Sequence, residues 1–119
     1  MDNIKALLPV IKAAMLDKKA NQIRILDISK ISSIADYFVI TNGDNVNQVQ
    51  AIVDGVEEAL SKLGHHPRAI EGYRSAGWIL MDYGDIVVNV FSKEDRLFFD
   101  LERIWKDGIP VDVDTDEVK

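Results

Sequence analysis

The chain has 119 residues, 47% of them hydrophobic and 29% charged, a composition typical of one globular domain with a single core. With a net charge of −6, the chain does not have the excess of positive charge that binding to a phosphate backbone requires. The absence of cysteine excludes disulfides, thiolate metal ligands and thiol catalysis. We therefore predict little direct nucleic-acid binding and an acidic surface that suits a basic protein partner.

The first fifteen residues do not resemble a targeting segment. They contain no basic leader and no cleavage site, and Pro9 and Lys12 interrupt their apolar run. No stretch of the sequence approaches the ~20 apolar residues that a membrane span needs. These features predict a cytoplasmic protein of bacterial type that does not insert into a membrane.

Helix and strand signals alternate along the chain, which indicates the α/β class. Apolar residues at helical spacing predict a first helix, which either kinks or begins at Pro9. Short β-branched and aromatic runs predict strands at residues 23–29, 37–41 and 66–70. A second helix over residues 46–63 is predicted between Asn45 as N-cap, with Gln48 completing a capping box, and Gly64 as C-cap. Ser92 and Asp95 begin a last, short helix.

Residues 71–91, EGYRSAGWILMDYGDIVVNVF, predict two strands joined by a turn at Tyr83-Gly84. With a loop of two or four residues, Met81 opposes Ile86 and Trp78 opposes Asn89. Side chains alternate across a sheet, so one face is purely aliphatic and should pack under the second helix: Ile79, Met81, Ile86, Val88 and Val90. The other face mixes aromatic and polar groups and should be covered by something else: Trp78, Leu80, Val87, Asn89 and Phe91.

Several short segments, taken in order, carry a family resemblance. They are DIS at 27–29, DYFVI at 36–40, EG at 71–72, WILMDYGDIVVNVF at 78–91 and RLFFDLERIW at 96–105. Together they resemble the Iojap family, the ribosomal silencing factors. The resemblance implies a mixed β-sheet of about five strands with helices packed on it, similar to nucleotidyltransferase folds. We expect a single Iojap-like α/β domain over residues 1–107 and an acidic C-terminal tail over residues 108–119.

The resemblance implies a regulator rather than an enzyme. Such a factor binds the basic large-subunit ribosomal protein conventionally numbered fourteen, blocks joining of the small subunit and represses translation under nutrient limitation. Its motif positions imply these partner-binding residues: Trp78, Leu80, Asp82, Asp85, Asn89, Phe91, Arg96 and Glu102. Asn89 stands where the family usually has histidine, which removes a pH-sensitive role there. Trp78 is either packed in the core or an anchor at the centre of the interface.

The alternative is a nucleotide-binding module or a nucleotidyltransferase-type enzyme on the same fold. Such an enzyme needs clustered carboxylates that hold magnesium and donors that cradle phosphates. Residues 42–45 open the second helix, where an anion could bind, but Asp44 adds negative charge and no Lys or Arg stands nearby. The adjacent His65 and His66 point apart on a strand and have no third metal ligand nearby. We expect no catalytic residue, no metal and no cofactor.

The mixed face of the predicted hairpin also bears on self-association. Left in water, its apolar side chains would form a patch of a size that monomers rarely expose: Trp78, Leu80, Val87 and Phe91. A second copy in a two-fold pair is the simplest cover. The family resemblance likewise implies a homodimer when the protein is free.

Overall fold

The structure is a computed structural model that describes residues 4–99 and 106–113, with the backbone alone for residues 97–99. Its strands are β1 (Asn21–Asp27), β2 (Tyr37–Gly43), β3 (Ala69–Glu71), β4 (Trp78–Asp82), β5 (Ile86–Ser92) and β6 (Ile109–Pro110). They form one sheet in the order β3-β4-β5-β2-β1-β6. The neighbours β2 and β5 run parallel, and the other neighbouring pairs are antiparallel. The predicted mixed α/β sheet is therefore confirmed, while its resemblance to nucleotidyltransferases stays a prediction.

Two helices, α1 (Leu7–Asp17) and α2 (Val46–Ser61), pack against one face of the sheet, and α3 (Lys93–Phe99) follows β5. A short 3-10 turn (Ile4–Ala6) precedes α1 and places Pro9 in the first turn of the helix. There the missing N–H of proline costs no intrahelical hydrogen bond, so the helix begins close to Pro9 instead of kinking at it. Within the described residues, every helix is too short or too polar to cross a membrane.

The N-caps of α2 and α3 lie where the sequence predicts them, although some element ends differ. Asn45 caps α2 by accepting a hydrogen bond from the Gln48 N–H at 2.8 Å, and Ser92 caps α3 by accepting one from the Asp95 N–H at 3.1 Å. The Gln48 side chain reaches back to the N–H of Asp44, one residue before the cap, so the predicted capping box is displaced by one position. Helix α2 ends at Ser61 with Lys62 as its C-cap, so the prediction of Gly64 as C-cap is wrong: Gly64 lies two residues further on, with a φ of +84°, and Leu63 is exposed.

The β4–β5 hairpin has the predicted faces but a different register. Trp78 lies opposite Phe91 and Met81 opposite Val88, so each partner stands two residues further along β5 than predicted. Because side chains alternate with a period of two, this shift leaves every side chain on its predicted face. The aliphatic face is confirmed as core, since all its members are buried with α1 and α2: Ile79, Met81, Ile86, Val88 and Val90.

The opposite face of the sheet carries a second buried cluster. We call it the second cluster, and its members are Leu26, Ile28, Ala35, Phe38, Ile40, Val87 and Phe91. The half-buried side chains of Trp78 and Leu80 pack against it. It forms because β5, β2 and β1 are neighbours in the sheet, so that these three strands contribute apolar side chains to one face, with β4 at its margin.

A sixth strand lies within the segment that the sequence predicts as a tail. Residues 109–110 pair with β1, and the Val111 N–H donates to the Ile25 carbonyl at 2.9 Å. The Lys12 ammonium donates to the Val113 carbonyl at 3.2 Å, and Val111 and Val113 pack against the helix-side core. The prediction of a tail from residue 108 onward is therefore wrong for residues 109–113. The alternation of Ile109, Val111 and Val113 with Pro and Asp is the signal of a strand at the edge of a sheet.

Candidate functional site

The mixed face of the hairpin is not the open apolar patch that the sequence predicts. Within a single chain Phe91 is only 1% exposed and Val87 is buried, because side chains of β1, β2 and the β1–β2 connection pack around them in the second cluster. Trp78 and Leu80 stay half-buried at the margin of this cluster. Within the single chain, only these two of the predicted apolar contact residues are accessible.

Trp78 is held in one orientation by its neighbours. Its indole N–H donates to the Asn89 side-chain oxygen at 3.0 Å, and its ring stacks on Phe91 with centroids 5.2 Å apart. Asn89 is fully buried and donates in turn to the Val39 carbonyl at 3.5 Å. Asn89 and Phe91 are thus buried within a single chain and support Trp78 from inside, and direct contact of either with a partner stays a prediction. Trp78 combines the two predicted alternatives, with one part packed in the second cluster and the rest accessible.

The turn of the hairpin presents two carboxylates on a rigid backbone. Asp82 accepts a hydrogen bond from the Gly84 N–H at 2.8 Å, and Gly84 has a φ of +86°, which favours glycine. The Asp85 carbonyl accepts from the N–H groups of Asp36 and Tyr37 at 2.8 and 3.0 Å. The Asp85 side chain is left exposed and Asp82 is half-buried. Asp82 and Asp85 therefore form the turn as predicted, and their carboxylates also make the surface at this end of the sheet acidic.

Residues 28–36, the β1–β2 loop, border this turn and were not predicted as part of the site. The Asp27 side chain accepts from the backbone N–H of Ser29 at 2.9 Å and from its hydroxyl at 2.6 Å. The hydroxyl bond is the main cause that lowers the pKa of Asp27 below its ordinary value. Ile34 and Ile31 point outward and are 73% and 44% exposed. The sequence could not predict that these two isoleucines are exposed, because isolated apolar residues in a loop have no periodicity from which burial can be judged.

Arg96 is buried within the single chain, where it acts as a structural residue, and its predicted place at the partner surface stays a prediction. Its guanidinium donates to the Gln22 carbonyl at 2.7 Å and to the Asn42 side-chain oxygen at 2.9 Å. The register of β1 shifts between Asn21 and Arg24, and Gln22 has a φ of +48°. This irregularity turns a carbonyl toward α3, and Arg96 satisfies it. Glu102, the remaining predicted contact residue, lies outside the described residues.

The N-terminus of α2, which the enzyme alternative would need for phosphates, is filled by side chains of the chain itself. The Asn45 side chain accepts a hydrogen bond from the Gln48 N–H, and the Gln48 side chain accepts one from the Asp44 N–H. The Asp44 carboxylate accepts a hydrogen bond from the Asn21 side chain at 3.0 Å. Asn42 at the same end is bound by Arg96. Across residues 4–99 and 106–113 there is no group of three His, Cys, Asp or Glu residues placed to hold a metal ion. The arrangement therefore favours a capped helix over a phosphate site.

Comparison with known proteins identifies the relatives of this chain. The model of the family RsfS, described as "Ribosomal silencing factor during starvation", matches residues 1–119. This chain belongs to the RsfS family. Ribosomal silencing factor RsfS of Bacillus subtilis is 40% identical over 112 residues, which are 94% of this chain and 95% of that protein. The family resemblance predicted from the sequence segments is thereby confirmed.

Two crystal structures show the same fold. A protein from Chromobacterium violaceum superposes with a TM-score of 0.85 at 31% identity, covering 88% of each chain. A protein from Bacillus halodurans superposes with a TM-score of 0.81 at 37% identity, covering 92% of this chain and 99% of that one. Identity at this level over most of both chains supports an RsfS fold as well as RsfS family membership.

One residue of the RsfS hairpin turn, Tyr83, has a buried hydroxyl for which the described residues offer no hydrogen-bond partner. Replacing it by Tyr83→Phe should leave stability at neutral pH unchanged or raise it by up to ~1 kcal/mol, since an unsatisfied buried polar group is removed. Thermal unfolding of the two proteins measures this. A clear loss of stability would mean that the hydroxyl has a partner.

The same substitution should change the pH dependence. Burial, with a contribution from the Glu57 charge, raises the pKa of Tyr83 to about 12 from its ordinary 10.0. Between these two values the unfolded chain loses the phenol proton while the folded protein retains it, so stability falls as pH rises through this window. Tyr83→Phe should reduce that fall. An identical decline in both proteins would contradict the burial of the hydroxyl.

Proposed function

We propose that this protein acts in the cytoplasm as a ribosomal silencing factor. In this proposal it binds a basic protein of the large ribosomal subunit, the one conventionally numbered fourteen, and blocks joining of the small subunit when nutrients are limited. The proposal is supported by membership of the RsfS family, whose Bacillus subtilis member is named a ribosomal silencing factor. The observation that carries it to particular residues is the acidic turn of the hairpin, which follows the half-buried Leu80 on the same face of β4 that carries Trp78.

The hairpin end of the sheet has the make-up of a protein-binding surface. Trp78 and Leu80 supply a partly accessible apolar stretch along β4, and Asp82, Asp85 and Asp36 supply carboxylates at the turn end of that stretch. An apolar centre with a polar rim is the usual anatomy of an interface, and aromatic anchors carry much of its energy. The three carboxylates outnumber the arginine that lies against this turn, Arg68, so the complementary partner is a basic protein.

A silencing factor of this kind acts by occupying space and does not turn over. Added protein should lower subunit joining in proportion to the fraction of large subunits that it occupies. Co-sedimentation with isolated large subunits and with joined ribosomes gives the occupancy, and light scattering on mixing the subunits gives the joining. Inhibition at amounts far below those of the large subunits would contradict steric occlusion and point to catalysis.

Reversing the charge of the exposed carboxylate should weaken binding to the large subunit. Asp85→Lys puts a cation in front of a basic partner, and we expect affinity to fall by at least about tenfold because like charges are brought together. The fold should be retained, since only the backbone of Asp85 makes the hydrogen bonds that hold the turn. Binding curves from co-sedimentation at two salt concentrations measure the effect.

A matched control is Asp112→Lys, which makes the same change of charge. Asp112 is exposed next to β6, at the far edge of the sheet from the hairpin. Binding of this variant should equal that of the unmodified protein. Equal losses for both variants would mean that net charge, and not the hairpin surface, governs binding.

The homodimer stays a prediction that rests on the family resemblance. The apolar residues that suggested it are largely buried inside one chain, so the predicted need for a second copy as a cover is reduced. Sedimentation equilibrium of the free protein at micromolar concentration distinguishes a dimer from a monomer.

A further inference from the structure

We propose that Ile31 and Ile34 of the β1–β2 loop are the apolar anchor by which the acidic hairpin end grips its partner. The partner's matching surface would be an apolar patch surrounded by Lys and Arg side chains on a folded basic protein. This inference rests on the proposed function and adds to it a contact that the hairpin residues alone do not supply. Its basis is that the two isoleucines are exposed, that hydrogen bonds hold the loop that carries them, and that this loop lies at the acidic end of the sheet.

The loop that carries the isoleucines is held by hydrogen bonds and by buried side chains. The N–H groups of Ile31 and Ser32 donate to the Ile28 carbonyl at 3.0 and 2.9 Å, and the Ile34 N–H donates to the Ser32 hydroxyl at 3.0 Å. At either end of the loop, Ile28 and Ala35 are buried in the second cluster. The two outward isoleucines are therefore presented by an ordered turn, which lowers the entropy that binding must offset.

The loop and the acidic turn form one continuous surface. The Ile28 N–H donates to the Asp36 carbonyl at 2.8 Å, which closes the loop at its base. The Asp36 N–H then donates to the Asp85 carbonyl at 2.8 Å. This chain of bonds places the exposed Ile34 and the exposed carboxylates of Asp36 and Asp85 at the same end of the sheet. The result is an apolar centre with acidic neighbours.

The pair of isoleucines differs from the other exposed apolar side chains of the described residues. Leu16, Val46 and Leu63 lie at or just beyond the ends of helices, Ile109 lies on the edge strand β6, where it pairs with Asp27, and the Tyr73 hydroxyl donates to Asp54. Apolar residues scattered singly on a surface are normal. Ile31 and Ile34 are two exposed isoleucines three positions apart in one loop whose ends pack in the second cluster, and exposed apolar side chains that lie together mark interaction sites.

Charge favours a basic partner over a second copy of this chain. A two-fold pair built on this surface would enclose the carboxylates of Asp36 and Asp85 from both copies in one interface. Each copy also carries a net charge of −6. Like charges across an interface disfavour association, whereas Lys and Arg on a partner would be attracted to the same groups.

Binding of full-length variants to isolated large subunits tests the inference. Ile34→Ser should weaken co-sedimentation by roughly tenfold or more, because a buried isoleucine contact is lost, and Ile31→Ser should have a smaller effect. The matched control is Val46→Ser, at a similarly β-branched residue that is half exposed and separated from the loop by the whole of β2. Circular dichroism and thermal melting verify the fold. Ile34→Thr keeps the branched shape and replaces the serine variant if that one does not fold.

The possible outcomes separate this inference from the proposed function. If Ile34→Ser binds as tightly as the unmodified protein while Asp85→Lys binds weakly, the isoleucine anchor is wrong and the docking function stands. If the unmodified protein does not co-sediment with large subunits, both are wrong. If Ile34→Ser leaves subunit binding intact but converts a dimer to a monomer in sedimentation equilibrium, the occupant is a second copy and the inference is overturned.

Discussion

Gly72→Ala should lower the free energy of unfolding by at least about 3 kcal/mol, the largest change that we expect from a single methyl group in this chain. Gly72 has a φ of +82°, a conformation that costs an L-residue about 1–2 kcal/mol. A Cβ at this position would also overlap the carbonyl oxygen of Trp78. That oxygen belongs to the backbone at the start of β4, so no flexible side chain can move away to relieve the overlap.

Gly64→Ala provides the matched control for this prediction. Gly64 has nearly the same φ, +84°, but an added Cβ would meet nothing within 4 Å. Its variant should lose only the conformational term, and the difference between the two variants isolates the overlap with Trp78. Denaturant unfolding of all three proteins gives the comparison. Equal losses at the two glycines would show that the loop before β4 can shift without strain.

Arg96→Ala should lower the free energy of unfolding by about 2–4 kcal/mol, because it leaves a buried and a partly buried hydrogen-bond acceptor without their donor. The Gln22 carbonyl and the Asn42 side-chain oxygen would both lose their charged donor. Arg96→Lys should lose part of this stability, because an ammonium cannot reproduce the fork geometry of the guanidinium. Denaturant unfolding at neutral pH measures both variants.

An exposed arginine serves as the control for Arg96. Arg74 lies in the loop before β4, and Arg74→Ala should change stability by no more than about 0.5 kcal/mol, as surface substitutions usually do. If Arg96→Ala were as stable as the unmodified protein but bound large subunits weakly, the role at the partner surface expected from the sequence would be supported. Otherwise Arg96 stabilises the packing of α3 on the sheet.

The sequence by itself determined the local features of this protein. Helix caps depend on residues within a few positions of one another, which is why Asn45 and Ser92 were found correctly. The two faces of the hairpin follow from the alternation of side chains along β4 and β5. The assignment of side chains to the two faces stayed correct although the predicted register was wrong, because the register error was two residues, the period of a strand. The ordered family segments identified the RsfS family for the same reason, since they are read along the chain.

Only the tertiary structure decided which of these residues a partner can reach. Whether Phe91 and Asn89 are buried depends on β5 lying between β4 and β2, a parallel pairing between residues about fifty positions apart. Arg96 binds the Gln22 carbonyl, 74 positions earlier in the chain. The sequence around Arg96 therefore cannot predict that β1 is irregular at Gln22. Conversely, Ile34 is exposed because the β1–β2 loop turns outward at the end of the sheet. Burial and exposure are properties of the assembled layers, so contacts between distant segments determine them, and a local pattern cannot.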